Sequence, residues 1–314
     1  MSKDRPLVLQ PNQFLIGYQP QREWAWLIAT AFFLGKVGAG LFLISYFSHF
    51  KLGAVAGLLI VGVGKTTAHL LYLGRPLRFL RAVAGWRTSW ISRGIIAMGV
   101  YLACGAVYVA PYLHISFVPG GVAKAFGVVA LVAAAVVMVY DGFVLKASRG
   151  VPLWDSYLMP VLVLFYALLG GVTLTLTLEA LRGEATTARL DWLQVALLAL
   201  NLVLITIVVL NARVRHAAAQ YGSTLLTRGP LGWLFLAGAM GVGLAGTLVL
   251  AGIAIATGSE VVIVLAAITD LAGHFFVFFS ILRAGLHAPI RPLPLRSAPP
   301  WLAPAAVGSA FERG

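Results

Sequence analysis

Eight mainly apolar stretches of about twenty residues or more recur along this chain, each long enough to cross the roughly 30 Å hydrocarbon layer of a bilayer as a helix. They cover about residues 24–50, 53–73, 95–113, 122–147, 157–180, 191–213, 231–256 and 259–284. Lipid offers no partner for backbone N–H and C=O groups, and runs that are apolar throughout, rather than alternating, satisfy them as helices rather than as barrel strands. With 60% hydrophobic and 11% charged residues and a mean hydropathy of +0.93, a water-soluble fold would lack the polar surface to cover itself. The expected class is all-α, a polytopic membrane protein of eight transmembrane helices. The polar residues 1–23 precede an apolar run too long for the core of a cleaved signal peptide, so this tail is expected to be retained. The proline-rich residues 287–314 are expected either to be extended along the membrane surface or a neighbouring subunit or to form a disordered end.

Charge is distributed unevenly between the two ends of the spans. Eight spans place both termini on one face, and 17 of the 23 Lys and Arg residues fall there, against four on the opposite face. By the positive-inside rule the termini are cytoplasmic, in a cell (inner) membrane; a docking surface for an acidic partner would leave the same excess on either side. The excess is densest in Gly74–Gly94, where Arg75, Arg78, Arg81, Arg87 and Arg93 share one loop with Phe79, Trp86 and Trp90. The net charge of +13 is not a nucleic-acid footprint, since the basic residues flank spans instead of forming a soluble patch. Cys104 is the only cysteine, which excludes an internal disulfide and any CxxC-type iron–sulfur ligation, so a metal cluster must belong to a partner. No metal site is expected in this chain, and only one histidine in helix 2 and one in helix 8 could serve as axial haem ligands.

Ionisable side chains at membrane depth are costly, which marks each as a functional candidate. Lys36 lies well inside helix 1, and Lys65 and His69 stand four apart on one face of helix 2. Tyr140 and Asp141 occupy the last turns of helix 4, close in depth to Trp26, His69 and Arg75. Asp270 and His274 form another i,i+4 pair in helix 8, with Asn201 at similar depth in helix 6 and Glu179 toward the opposite face. Each has a purely structural alternative. Asp270 and His274 can satisfy one another, a buried His is often a packing residue, and the tryptophans at span ends suit an interfacial belt. The string Gly35–Gly40, GKVGAG, lies within an apolar span and fits close helix packing rather than a phosphate loop.

Several motifs then carry a resemblance. WAWLIATAFFLGKVGAG (Trp24–Gly40), LGRPLRFLRAV with TSWISRG (Leu73–Gly94), YDGFVLKASRGVPLWDSYLMPVLVLFYALLGG (Tyr140–Gly171) and ILRAG (Ile281–Gly285) occur in order. Together they resemble the NrfD/PsrC family of polysulfide-reductase-type membrane subunits. The resemblance implies two four-helix bundles, here residues 24–147 and 148–286. It implies a quinone pocket in the first bundle, a ferredoxin-type iron–sulfur subunit docked over it, and a catalytic subunit, of the molybdopterin or another type. The quinone, menaquinone or ubiquinone, is then the cofactor, with no haem or iron–sulfur cluster in this chain. By position, Tyr140 matches the tyrosine at the quinone headgroup, and Trp24 and Trp26 match the aromatic pair opening helix 1. Where some members carry Asn and His after that pair, this chain has Ile28 and Ala31, so the polar side of a pocket is drawn from His69, Asp141, Lys36 and Arg75.

The functional expectation is a quinone-reactive subunit of a respiratory oxidoreductase. Tyr140, Asp141 and His69 are assigned to the chemistry, Trp24, Trp26, Lys36 and Arg75 to binding, and Arg78, Arg81, Arg87 and Arg93 to partner docking. Proton translocation would run through Lys65, Asp270, His274 and Glu179. A secondary transporter lined by Lys36, Lys65, Asp270 and His274 predicts an inverted repeat, which the two halves do not display. A passive anchor predicts that the buried polar groups merely pair.

Overall fold

Every apolar run is helical in the computed structural model, which describes residues 18–74, 76–115, 117–184 and 187–288, with only the backbone of 76–80. The spans are α1 (Trp26–Phe47), α2 (Lys51–Tyr72), α3 (Trp90–Val109), α4 (Gly120–Ala147), α5 (Leu158–Leu181) and α6 (Ala188–Arg213). A short helix, α7 (Ala217–Thr227), precedes the last two spans, α8 (Trp233–Thr257) and α9 (Glu260–Arg283). The expected tails at 1–17 and 289–314 lie outside the described residues.

Helix neighbours follow two closed circuits, α1–α2–α3–α4 and α5–α6–α8–α9, joined where α1 meets α5 and α9 and where α4 meets α5. The centre is α1: 72% of its apolar window is buried, against 28–61% for the other spans. Lipid supplies no hydrophobic drive between helices, so close backbone approach must supply dispersion contacts instead. A side chain on Gly171 would run into the backbone of Gly40 and Leu41, and one on Gly40 into the carbonyl of Ala167. Gly40 of the GKVGAG string is thus one place where the two circuits touch, while Gly38 and Gly35 pack against α2. Gly142 of α4 meets the backbone of Pro160 on α5 in the same way.

Three local features differ from uniform α-helices. The span α2 is interrupted by a π-helical stretch, Ile60–Lys65, in which Gly62 and Gly64 remove side-chain crowding and Thr66 Oγ1 donates to Val61 O at 3.2 Å. Such wide turns are rare and collect at functional positions; this one ends on Lys65. A longer π-helical stretch, Trp233–Gly246, opens α8, and there Gly243 meets Gly273 of α9 backbone to backbone. The loop between α2 and α3 is a 3₁₀ helix over Pro76–Gly85, after which α3 starts at Trp90. That is earlier than hydropathy alone predicts, because Ser89 caps it by accepting from Ser92 N at 3.3 Å.

The two ends of the described residues meet on one face. Strand β1 (Gln19–Pro20) pairs antiparallel with β2 (Leu286–His287), and Gln21 N donates to Gly285 O at 2.9 Å. This clasp, the 3₁₀ loop and α7 make up the terminal face. The α1–α5 contact predicts that Gly171→Val destabilises the detergent-purified protein by at least the ~1–3 kcal/mol of an overpacked core, read as a lower thermal midpoint. Gly99→Ala, where nothing lies within 4 Å of the added carbon, is expected to leave it unchanged.

Candidate functional site

A cavity of about 240 Å³ opens inside the first circuit, just below the terminal face. It is walled by Ile28 and Phe32 of α1, Thr66, His69, Leu70 and Tyr72 of α2, and Ile91, Gly94, Ile95 and Met98 of α3. Tyr140 and Val144 of α4 close it, with Trp24 and Ala82 toward the surface. Gly94 is required by geometry: the Tyr140 ring fills the space its side chain would occupy. His69 is held by its Nδ1, 3.2 Å from Lys65 O. A carbonyl only accepts, so Nδ1 is the protonated nitrogen, and a neutral ring keeps Nε2 as an acceptor. Trp24 is fixed from outside the first circuit by stacking on Trp154 at 5.2 Å, and Trp154 Nε1 donates to Ile281 O at 2.9 Å.

Directly behind Tyr140 three charged side chains meet. Lys65 Nζ stands 3.7 Å from Asp141 Oδ1 and Lys36 Nζ 3.9 Å from Asp141 Oδ2, all three side chains being essentially inaccessible. Lys65 also donates to Ala31 O at 3.1 Å, a carbonyl of α1. The aromatic faces around the ammonium groups add to this balance. Lys36 Nζ lies 3.7 Å from the Phe278 ring centre, and Lys65 Nζ lies 4.9 Å from that of Tyr140. Helices α1, α2 and α4 are therefore joined by one carboxylate shared between two ammonium groups.

The polar groups continue into the second circuit. The His274 ring packs between Tyr166 at 4.7 Å and Phe278 at 5.5 Å, with neither ring nitrogen hydrogen-bonded among the described residues. Asp270 Oδ2 accepts from Thr173 Oγ1 at 2.6 Å, and that hydroxyl accepts from Gln194 Nε2 at 3.0 Å. Thr177 donates to Thr173 O at 2.7 Å one turn further on, and Glu179 lies buried beyond it, near the opposite face. Asp270 and His274 do not satisfy one another. Helix α5, by presenting Thr173, takes the carboxylate that spacing alone would have given to the histidine.

The family model for polysulphide reductase, NrfD, matches residues 15–289. The chain belongs to the NrfD family. Among its relatives, a polysulfide reductase chain of Wolinella succinogenes is 26% identical over 302 residues, covering 83% of this protein and 94% of that one. A sulfite dehydrogenase subunit of Allochromatium vinosum is 47% identical over 51 residues, which is 16% of this protein and 15% of that one. With eight membrane-length apolar helices among the described residues, this NrfD-family protein is a multi-pass integral membrane protein.

Of the residues singled out by sequence, Tyr140, His69 and Trp24 line the cavity, whereas Trp26 points outward and is 60% exposed. Lys36, Lys65 and Asp141 form the triad behind the wall and do not line it. Asn201 Nδ2 donates to Phe165 O at 3.2 Å and to Leu197 O at 2.8 Å, a packing role. Arg81 and Arg87 are exposed and Arg93 half-buried; Arg75 and the side chain of Arg78 lie outside the described residues. Sequence reasoning did not single out Phe32, Tyr72, Met98 and Gly94 as cavity walls, or Tyr166, Thr173 and Gln194 as partners of the second cluster. Apolar and hydroxyl residues within an apolar span carry no linear signal of which way they face.

The triad sets a stability prediction. Asp141→Asn leaves two buried ammonium groups without a counter-charge and is expected to cost about 3–5 kcal/mol, read as a lower thermal midpoint. The charge-preserving Asp141→Glu is expected to lose less.

Proposed function

We propose that the cavity beside Tyr140 is a quinone site and that this protein is the quinone-reactive membrane subunit of a respiratory oxidoreductase complex. The observation carrying this reading is a membrane-level cavity with mainly apolar walls whose polar members include the Tyr140 phenol and the His69 imidazole. Sites for apolar ligands have that build, with a few polar groups fixing orientation. When bound, a quinone supplies two-electron, two-proton redox chemistry. The aromatic and aliphatic walls of α1 and α3 hold a ring and exclude water. The Tyr140 hydroxyl is the group suited to hold a carbonyl oxygen, and Nε2 of a neutral His69, an acceptor, is suited to accept the hydroxyl proton of a quinol.

Behind the wall, Asp141 between Lys36 and Lys65 serves as the local proton store. From there His274, Asp270 with Thr173 and Gln194, and Glu179 are assigned to proton translocation toward the opposite face. Electrons pass to or from a ferredoxin-type iron–sulfur subunit docked on the terminal face over Arg78, Arg81, Arg87 and Arg93, and onward to a catalytic subunit of the molybdopterin type. The names of the two relatives, which belong to a polysulfide reductase and to a sulfite dehydrogenase, support such an assembly. The basic excess supports a cytoplasmic terminal face.

Tyr140→Phe and replacement of His69 by Gln are each expected to lower quinone-dependent turnover of the purified complex about a hundredfold, with partner-subunit activity toward an artificial electron acceptor retained. Unchanged quinone turnover in both would overturn the assignment and leave a passive anchor. In proteoliposomes Glu179→Gln is expected to keep quinone turnover and lose proton transfer across the membrane. Loss of neither would remove the second circuit from the proton path.

A further inference from the structure

A second concavity lies on the outer surface, on the side of α3 turned away from the cavity. It encloses about 470 Å³ between α3 and α4, walled by Ile96, Ala97, Val100, Val128, Val132 and Val136 among others, with Trp86 and Arg93 at its mouth. These walls face lipid: Val132 is 63% exposed and Val128 52%. The lining itself is almost wholly apolar, and Trp86 and Arg93 stand at one end of it.

The guanidinium of Arg93 is held in place at that end. Its Nε donates to Trp86 O at 3.0 Å, its Nη2 donates to Arg87 O at 2.8 Å, and its plane lies over the Trp90 ring at 4.5 Å. Trp90 in turn stacks on Phe143 of α4 at 4.2 Å, so the group is anchored to both walls of the groove. A guanidinium has five N–H donors, and these two bonds leave the rest for an anion. Exposed Arg87, whose carbonyl accepts one of those bonds, lies over the ring of Trp86 at the groove's mouth, at 5.4 Å.

Length identifies the occupant. From Arg93 to Val100 on α3, and from Val136 to Val128 on α4, the groove descends about 10–12 Å at 1.5 Å per residue. That is most of one ~15 Å leaflet and no more. A helix from a second copy or a neighbouring subunit would run the full membrane depth and need no phosphate-binding head. A lipid acyl chain ends where the concavity ends and begins at a charged head. We propose that this groove binds one anionic phospholipid of the leaflet at the terminal face, its phosphate on Arg93 and Arg87 and one acyl chain along α3 and α4. The groove shares no residue with the proposed quinone cavity; Arg87 and Arg93 also belong to the proposed partner-docking face and are probed in the chain without its partners.

Native mass spectrometry of the full chain, titrated in detergent with phosphatidylglycerol or phosphatidylcholine, tests this. Phosphatidylglycerol adducts are expected to persist selectively, and Arg93→Gln and Arg87→Gln each to weaken them about fivefold, the effect of one basic residue at a membrane surface. Val132→Trp, which fills the groove from an exposed position, is expected to lower them too. Because Arg93 also braces the loop, Arg87→Gln and Val132→Trp keep the test decisive if Arg93→Gln fails to fold. Equal retention of both lipids, or retention indifferent to Arg87→Gln and Val132→Trp, overturns the proposal. So does a dimer mass that Val132→Trp abolishes, which assigns the groove to a second copy.

Discussion

One carboxylate between two ammonium groups, buried where water cannot screen them, constrains the first half of this molecule. Lys36, Lys65 and Asp141 come from α1, α2 and α4, and moving either α1 or α2 away from α4 strips an ammonium group of its carboxylate inside the membrane. The π-helical turn ending at Lys65 and the bond from Lys65 to Ala31 O fix how α2 meets α1. That same contact sets His69, one turn on, against the cavity. The cluster therefore determines where the cavity wall stands as well as the local charge.

The second constraint is the burial of α1. Gly40 brings it against the backbone of α5, Phe32 faces the cavity, Lys36 stands between Asp141 of α4 and Phe278 of α9, and Phe33 packs edge-on against His274 of α9 at 5.2 Å. One helix thus supplies a cavity wall, a member of the triad and a neighbour of the buried histidine. Trp24 couples the halves again at the surface, where it lines the cavity on one side and stacks on Trp154 on the other. In the proposed function this is how proton-exchanging groups in the two circuits share one rigid support.

Much of this organisation is legible in the chain. Uninterrupted apolar runs give the eight spans to within a few residues, except at α3, whose cap adds a turn that hydropathy does not register. The motifs at Trp24–Gly40, Leu73–Gly94 and Tyr140–Gly171 point to the NrfD family, to which the protein belongs. Ionisable residues at membrane depth stand out because each opposes the composition around it, so Lys36, Lys65, His69, Tyr140 and Asp141 are found without coordinates. Their division into wall and triad is not found that way. Asp141 follows Tyr140 directly, and only the rotation of α4 turns the phenol toward the cavity and the carboxylate toward the lysines.

What the sequence determined by itself is the solvent, the spans and the list of costly side chains, because transfer free energy and helix length are properties of single segments. What tertiary structure decided is pairing. Asp270 bonds Thr173 rather than His274, Gly40 meets Gly171 across 131 positions of sequence, and apolar residues of α3 face either an inner cavity or an outer groove. Those outcomes depend on how one helix is rotated against another, a many-body packing result that no single segment encodes.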